Sequence, residues 1–235
     1  MFENVQIQAE RWSADEVLLW AFSQFQPDLA IASGMGAEGI VLIDIASGIR
    51  SDLSVFTLDT DFLFPETYAL MEELEARYGI KIERLHPALT PQAQAETYGE
   101  ELWRWNPDQC CNLRKLEPLR RKLAGLRAWA TAIRRDQTAA RATAGKVEWD
   151  PKFGLFKINP LADWTAEQIW NYIRENGLPY NPLHDRNYSS IGCTHCTRPV
   201  RQGEPPRAGR WAGTGKTECG LHERKSEVLV ALQPC

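Results

Sequence analysis

The sequence predicts an α/β protein, a doubly wound and mostly parallel sheet followed by a flexible C-terminal arm. Three observations predict it. Short apolar runs at 29–32 (LAIA), 53–58 (LSVFTL) and 80–85 alternate with segments of helical periodicity, the pattern of a parallel sheet. A length of 235 residues, 43% hydrophobic and 25% charged, suits one α/β domain with an appendage. Beyond Pro199 the chain turns rich in Gly and Pro (VRQGEPPRAGRWAGTGK), the composition of a mobile arm.

Each element has its own signal. Ser13 and Glu16 form a capping box before a helix whose apolar face is Val17, Leu18, Trp20, Ala21 and Phe25. Strand 29–32 runs into the turn 33–37 (SGMGA), and 38–46 returns as a helix. Strand 53–58 ends in Asp59-Thr60-Asp61. Helix 65–78 has Pro65 at its first turn and Gly79 behind it, and strand 80–85 follows. Ligands in such sheets sit at the carboxyl ends of strands, so the loops after Ala32 and Leu58 are the first candidates. A helix is expected from the Cys110-Cys111 pair to about Ala124. Strand 126–133, a basic loop 134–141, and two short strands near 146–149 and 155–158 come next. Helix 165–175 opens on a second capping box, Thr165 with Gln168, and stops at Gly177. There are no internal repeats.

The N-terminus (MFENVQIQAERW) has no apolar core of a signal peptide, and no apolar run approaches a membrane span. A cytoplasmic location is expected. The net charge of −4 gives no general reason to expect nucleic acid, but its distribution is uneven. Residues 114–141 hold nine cations and two anions, which leaves −11 on the rest of the chain. Such a concentration is either a solvated helix face around Arg120–Lys122 or a field focused on an anionic small molecule.

Six cysteines stand at 110, 111, 193, 196, 219 and 235. In a reducing compartment they read as metal ligands or reactive thiols. Neighbouring Cα atoms lie about 3.8 Å apart, too close for ordinary disulfide geometry, so Cys110 and Cys111 are not expected to bond to each other. With Cys193 and Cys196 they make a four-thiol set. Zinc, an iron–sulfur cluster and plain buried cysteines are all open readings. Vicinal ligands favour a [4Fe–4S] cubane, which offers each thiolate its own iron. Lys115, four residues after Cys111, would offset the charge of such a cluster; alone it reads as a surface lysine.

Ser33, Gly34 and Gly36 lie where a strand passes into a helix N-terminus, and their backbone amides would cradle a phosphate. The loop lacks a Walker lysine, so a plain tight turn is the competing reading. Asp59, one strand over, is in reach of nucleotide hydroxyls. In the tail, Lys216 and His222 flank Cys219 and would favour its thiolate, which makes it a candidate nucleophile rather than a spare thiol. Cys235 has no such company.

These motifs together resemble a known family. CCNLRK, IGCTHCTRPV, GRW and KTECGLH, with TLDTDFLFPETY and ASGMGAEGIVLID, are similar to the assimilatory adenylylsulfate (APS) reductases, within the wider family that includes the 3′-phosphoadenylylsulfate (PAPS) reductases. The likeness runs from about residue 29 to 222. It implies an adenine nucleotide alpha-hydrolase-like fold of PP-loop type. Residues 1–200 would be the nucleotide-binding reductase domain with the iron–sulfur site, and 201–235 the mobile arm. It implies reduction of APS to sulfite and AMP through an S-sulfocysteine on Cys219, with thioredoxin (or glutaredoxin) as reductant. His222 and Lys115 would assist, with Lys115 coupling cluster to substrate. Cys110, Cys111, Cys193 and Cys196 would hold the [4Fe–4S] cluster. Ser33, Gly34, Gly36, Asp59, Arg134, Arg141, Arg207 and Arg210 would meet the substrate. The full set of four cluster cysteines favours APS over PAPS.

Some positions depart from the family pattern. Gly34 and Gly39 replace a common Ser and Asp, Asp61 puts an anion near the nucleotide, and Ala139 and Ala140 stand in the basic loop. Two other classes compete. A PP-loop ATP pyrophosphatase would carry an intact SGGxDS loop, absent here. A zinc-stabilised nucleotide-binding module without chemistry would not need Cys219.

Overall fold

The computed structural model describes residues 2–222; Cys235 and the end of the expected arm lie outside the described residues. A six-stranded sheet has the order β3-β2-β1-β4-β6-β5. The strands are β1 Leu29–Ala32, β2 Val55–Leu58, β3 Ile82–Leu85, β4 Ala128–Thr131, β5 Val147–Asp150 and β6 Leu155–Ile158. All pairings are parallel except β5 with β6, which form a hairpin at one edge. The chain builds outward from β1 to β3, then returns to lay β4 on the other side of β1. That reversal opens a crevice at the carboxyl ends of β1 and β4.

The helices are α1 Phe2–Ala9, α2 Ala14–Phe25, α3 Ala37–Ile49, α4 Pro65–Tyr78, α5 Pro91–Tyr98, α6 Leu102–Trp105, α7 Pro107–Cys111, α8 Glu117–Leu123 and α9 Ala166–Glu175. Both expected capping boxes form, at Ser13/Glu16 and Thr165/Gln168. Gly79 closes α4 at φ 63°. α3 is apolar on nearly every side: Ile40, Val41, Leu42, Ile43, Ile45 and Ala46 are all buried. A helix apolar all round belongs inside a fold, and each such side chain contributes about 1.5–3 kcal/mol. The loop 33–36 therefore hangs between a central strand and a central helix, and neither can move without opening the core.

Three expectations need correction. The second, third and fourth strands start two residues later than expected, because residues 53–54, 80–81 and 126–127 lead in without pairing as strand, and the fourth also ends earlier, at Thr131. The elements α1, α5 and α6 have weak apolar periodicity and no signal was read from them. The helix around the cysteine pair begins earlier, at Pro107, capped by Asn106, whose Oδ1 accepts from Gln109 N at 3.1 Å. It is also not uniform. Asn112–Leu116 is a π-helical turn, and Glu117 N donates to Asn112 O, five residues back. Pro118 gives a reason: it has no N–H for the Arg114 carbonyl and its ring would crowd that carbonyl in a regular α-helix.

Residues 201–222 pack back onto the domain. Thr197 and Arg210 form an isolated antiparallel bridge, Arg198 N donates to Gly209 O at 2.9 Å, and Trp211 is buried. Gly209 is obligatory there, since a Cβ would overlap the Arg198 carbonyl oxygen. Gly209→Ala is expected to break this bridge, at a cost of about 1–3 kcal/mol. Limited proteolysis should then cut between 200 and 222 faster than in wild type, with the main melting transition nearly unchanged. Equal cleavage rates would show that the bridge does not hold the segment.

Candidate functional site

Two adjoining hollows make the site. The larger is a cleft of about 1510 Å³ at the carboxyl ends of β1 and β4, roomy enough for a nucleotide. Ser33, Gly34, Gly36, Arg134, Arg141, Arg207, Arg210, Lys216 and His222 all line it. Ser33 shapes the loop: its Oγ accepts from Met35 N at 3.2 Å, and Met35 takes a left-handed φ of 56°. A Cβ at Gly39 would overlap that Oγ, so the glycine at this position is what lets α3 start so close to the strand.

The cleft cations come from two sides. Arg134 and Arg141 arrive on the loop after β4, held by two 3₁₀ turns, Arg135–Gln137 and Ala139–Arg141. Arg134 is paired with Glu38 at 3.1 Å and Asp136 at 2.6 Å. Arg141 Nη2 lies 2.9 Å from Glu218. Arg207 and Arg210 arrive from the C-terminal segment. Both donate to Ser190 Oγ, at 3.4 and 3.2 Å, and the Arg210 guanidinium stacks on Trp211 with 4.5 Å to the ring centre. Among the described residues Arg210 has no carboxylate partner. Asp59 stands apart: it does not line the cleft but accepts from Tyr68 Oη at 2.7 Å and from Asp61 N at 3.0 Å. The loop after β4, rather than the one after β2, completes the crevice.

The smaller hollow is lined by Cys110, Cys111, Cys193 and Cys196, with Phe62, Trp103, Pro107, Arg114, Lys115 and His195. The end of α7 delivers the first pair, the π turn after it Arg114 and Lys115, and the 3₁₀ turn Thr194–Cys196 with its cap Cys193 the second pair. Aromatic rings wall it off: Trp103 stacks on His195 at 4.1 Å, and Phe62 meets both edge to face. Residues 59–61 serve this hollow. Thr60 Oγ1 lies 3.2 Å from Cys193 Sγ, and Asp61 lies 3.2 Å from Arg114.

The donor set fits a thiolate-bound cluster. Burial first, and then the neighbouring sulfurs, push the Cys110 thiol up to about 12 and the Cys196 thiol up to about 11, so the thiols ionise only beside added positive charge. Arg114 is fully buried over the Phe62 ring, yet its Nε and Nη2 have no partner. Burial opposes the charge on Lys115, but the sulfurs of Cys193, Cys111 and Cys219 outweigh it and hold its pKa above the usual lysine range.

Cys219 is half-buried, within electrostatic reach of Lys115, Cys111 and Arg207; it lines neither hollow itself, while its neighbour Glu218 lines the cleft. The expected helpers do not both serve it. Lys216 pairs with Asp108. His222 stacks on Trp129 at 5.8 Å, and burial, reinforced by Lys157, Arg141, Lys152 and Arg207, holds it well below the ordinary imidazole range. A neutral ring cannot supply the positive charge foreseen from the sequence. Arg114 carries a sequence signal only as a cation beside the cysteine pair; Glu218, Trp103 and Phe62 each read in the sequence as an ordinary surface or core residue.

The family model described as the phosphoadenosine phosphosulfate reductase domain matches residues 28–199. The chain is 52% identical over 215 residues to the adenosine 5′-phosphosulfate reductase of Halalkalibacterium halodurans, covering 91% of this chain and 93% of that protein. It is 48% identical over 222 residues to the protein of the same name from Shouchella clausii, covering 94% and 92%. Among solved structures it superposes on the phosphoadenylyl-sulfate reductase from Candida auris, crystallised as a phosphate complex. The TM-score is 0.72 and the identity 32%, with 82% of this chain and 94% of that chain covered.

The neutral His222 predicts a pH dependence. Its folded pKa lies below the unfolded value, so the stabilisation it gives the C-terminal segment is complete above about pH 6.5 and is lost as pH falls. Glu218 responds only at lower pH, because burial would raise its carboxyl but Arg141 more than offsets this and holds it below the usual range. Protease sensitivity of residues 200–222 should therefore rise between pH 7 and 5. His222→Phe, which keeps the stack and cannot ionise, should flatten that rise; an unchanged rise would place the titration elsewhere.

Proposed function

The chain belongs to the phosphoadenosine phosphosulfate reductase family, and on that premise we propose that it reduces adenosine 5′-phosphosulfate to sulfite and AMP. The observation that carries this reading is the seat of Cys219. It is half-buried, within electrostatic reach of Lys115 of the four-thiol hollow and of Arg207 of the anion-receptive nucleotide cleft, and it directly follows Glu218, which lines that cleft. The names of the bacterial relatives support APS as the substrate. PAPS is the second reading, favoured by the name of the Candida auris structure.

In the proposed reaction the phosphate of APS rests on the amides of Ser33, Gly34 and Gly36 at the N-terminus of α3. Arg134, Arg141, Arg207 and Arg210 receive the phosphosulfate. Asp59 is left a bracing role through Tyr68 and Asp61. The Cys219 thiolate attacks the sulfate sulfur. A sulfur–sulfur bond forms, the bond from that sulfur to the bridging oxygen breaks, and AMP leaves with the electron pair. One thiol of a thioredoxin dithiol then attacks Cys219 Sγ and expels sulfite. Its second thiol resolves the mixed disulfide and returns Cys219 as a thiol. The dithiol supplies both electrons, so the enzyme ends unchanged. Residues 1–200 act as the nucleotide-binding unit, and 201–235 as the arm that carries the nucleophile between substrate and reductant. Glutaredoxin is an alternative reductant, and the unbonded thiols suit a cytoplasmic setting.

Cys110, Cys111, Cys193 and Cys196 are the proposed ligands of a [4Fe–4S] cluster. When bound, it would supply fixed charge beside the substrate, with Lys115 between cluster and sulfonate. No described helix is long and apolar enough to cross a membrane.

Two measurements test the reading. Anaerobically purified protein is expected to be brown, to carry about four irons per chain, and to release sulfite faster from APS than from PAPS. Colourless, zinc-loaded protein would sink the cluster assignment. Cys219→Ser is expected to retain APS binding and lose sulfite release; turnover with thioredoxin in that variant would remove Cys219 as the nucleophile.

A further inference from the structure

Glu218 directly precedes the nucleophile, and its surroundings are those of an anion-binding subsite. Its side chain is only 5% exposed. Oε2 lies 2.9 Å from Arg141 Nη2 and 3.5 Å from Arg207 Nη2, while Oε1 accepts from Thr138 Oγ1 at 2.9 Å. Both arginines line the nucleotide cleft, and Glu218 lines it with them. Their demand for acceptors exceeds what one carboxylate gives. The Nε atoms of Arg141, Arg207 and Arg210 are all buried without a partner among the described residues. A buried guanidinium with a free N–H is a site waiting for a further oxyanion.

We propose that Glu218 is a positioning residue that stands in for the substrate's phosphosulfate in the empty enzyme, competing with it for Arg141 and Arg207. The carboxylate offers two oxygens to the cations, as a sulfonate or phosphate would, and keeps them from repelling one another when no substrate is present. Because Glu218 and Cys219 are adjacent, the same contact sets the seat of the nucleophile. Substrate entry then transfers the guanidiniums from Glu218 to the incoming anion. This gain is bought with affinity: part of the binding energy of each substrate goes to displacing the resident carboxylate. The inference rests on the proposed function of this cleft, and it names the residue that limits how tightly the cleft holds its substrate.

The test measures APS binding by calorimetry in the Cys219→Ser background, where nothing turns over. Adding Glu218→Gln is expected to tighten APS binding about tenfold, the scale of one charge-assisted contact. In the enzyme with Cys219 intact, Glu218→Gln should lower KM and kcat together, because the nucleophile loses its seat. A residue with a merely structural role would weaken binding. Thr138→Val, which loosens Glu218 without removing a cation, should tighten APS in the same direction by less. It decides the matter if Glu218→Gln fails to fold. Affinity unchanged or weakened in these variants overturns the role of Glu218 while leaving the cleft assignment intact. Failure of the Cys219→Ser protein itself to bind APS overturns the cleft assignment, and this inference with it.

Discussion

Arg114, Lys115, Arg134 and Arg141 each keep less than a tenth of their surface in water. Taking a cation out of water costs several kcal/mol unless opposite charge or acceptors meet it. Much of the site is arranged around that cost. Asp61 and the Thr60 carbonyl meet Arg114, Glu38 and Asp136 meet Arg134, and Glu218 meets Arg141. Lys115 has no carboxylate partner among the described residues, and the groups that hold its charge are sulfurs. Buried positive charge thus joins the four-thiol hollow to the nucleotide cleft, and each depends on the other for its electrostatic balance.

The scaffold makes that placement possible. β1 and β4 part at the point where the chain reverses its direction of sheet building, and the cleft opens there. The wide turn at Asn112–Leu116 is a second device. With the end of α7 just before it, it places Cys110, Cys111, Arg114 and Lys115 on one short segment, and Pro118 denies the chain a regular α-helix at that point. Cys110, Cys111 and the two cations after them are thereby fixed to one another by covalent structure, not by loop packing. Rigid support of this kind is what a site built on charge requires, since a displacement of about 1 Å is enough to lose most of the benefit.

The C-terminal segment is the other half of the design. It was read from composition as a mobile arm, and the described part is packed, with Trp211 buried and His222 stacked on Trp129. The two statements concern different links of the chain. Gly and Pro composition speaks of low intrinsic preference for a fixed conformation; the packing speaks of the contacts the fold supplies. Beside these apolar contacts stand polar ones: the Thr197–Arg210 bridge, Lys216 with Asp108, Lys152 with the Gly220 carbonyl, and Glu218 with its cations. Such contacts exchange readily with an anionic ligand or with water.

The sequence by itself determined the α/β class, because strand and helix periods are local and the two capping boxes, Pro65 and Gly79 mark their own ends. It also determined the thiol set and the anion loop, since spacing and residue type carry that chemistry without reference to the fold. Only the tertiary structure decided which loops share the cleft. Asp59 does not line it, while Arg134 and Arg141, which the resemblance had placed at the substrate, do, because strand order is a long-range outcome that no local pattern encodes. Only the structure made His222 neutral and gave Lys216 to Asp108, because burial and partner choice set a charge state, and neither is visible in composition. Glu218 is the plainest case. In sequence it is one acid before a cysteine; its meaning comes from Arg141, 77 positions away, brought within reach by the fold.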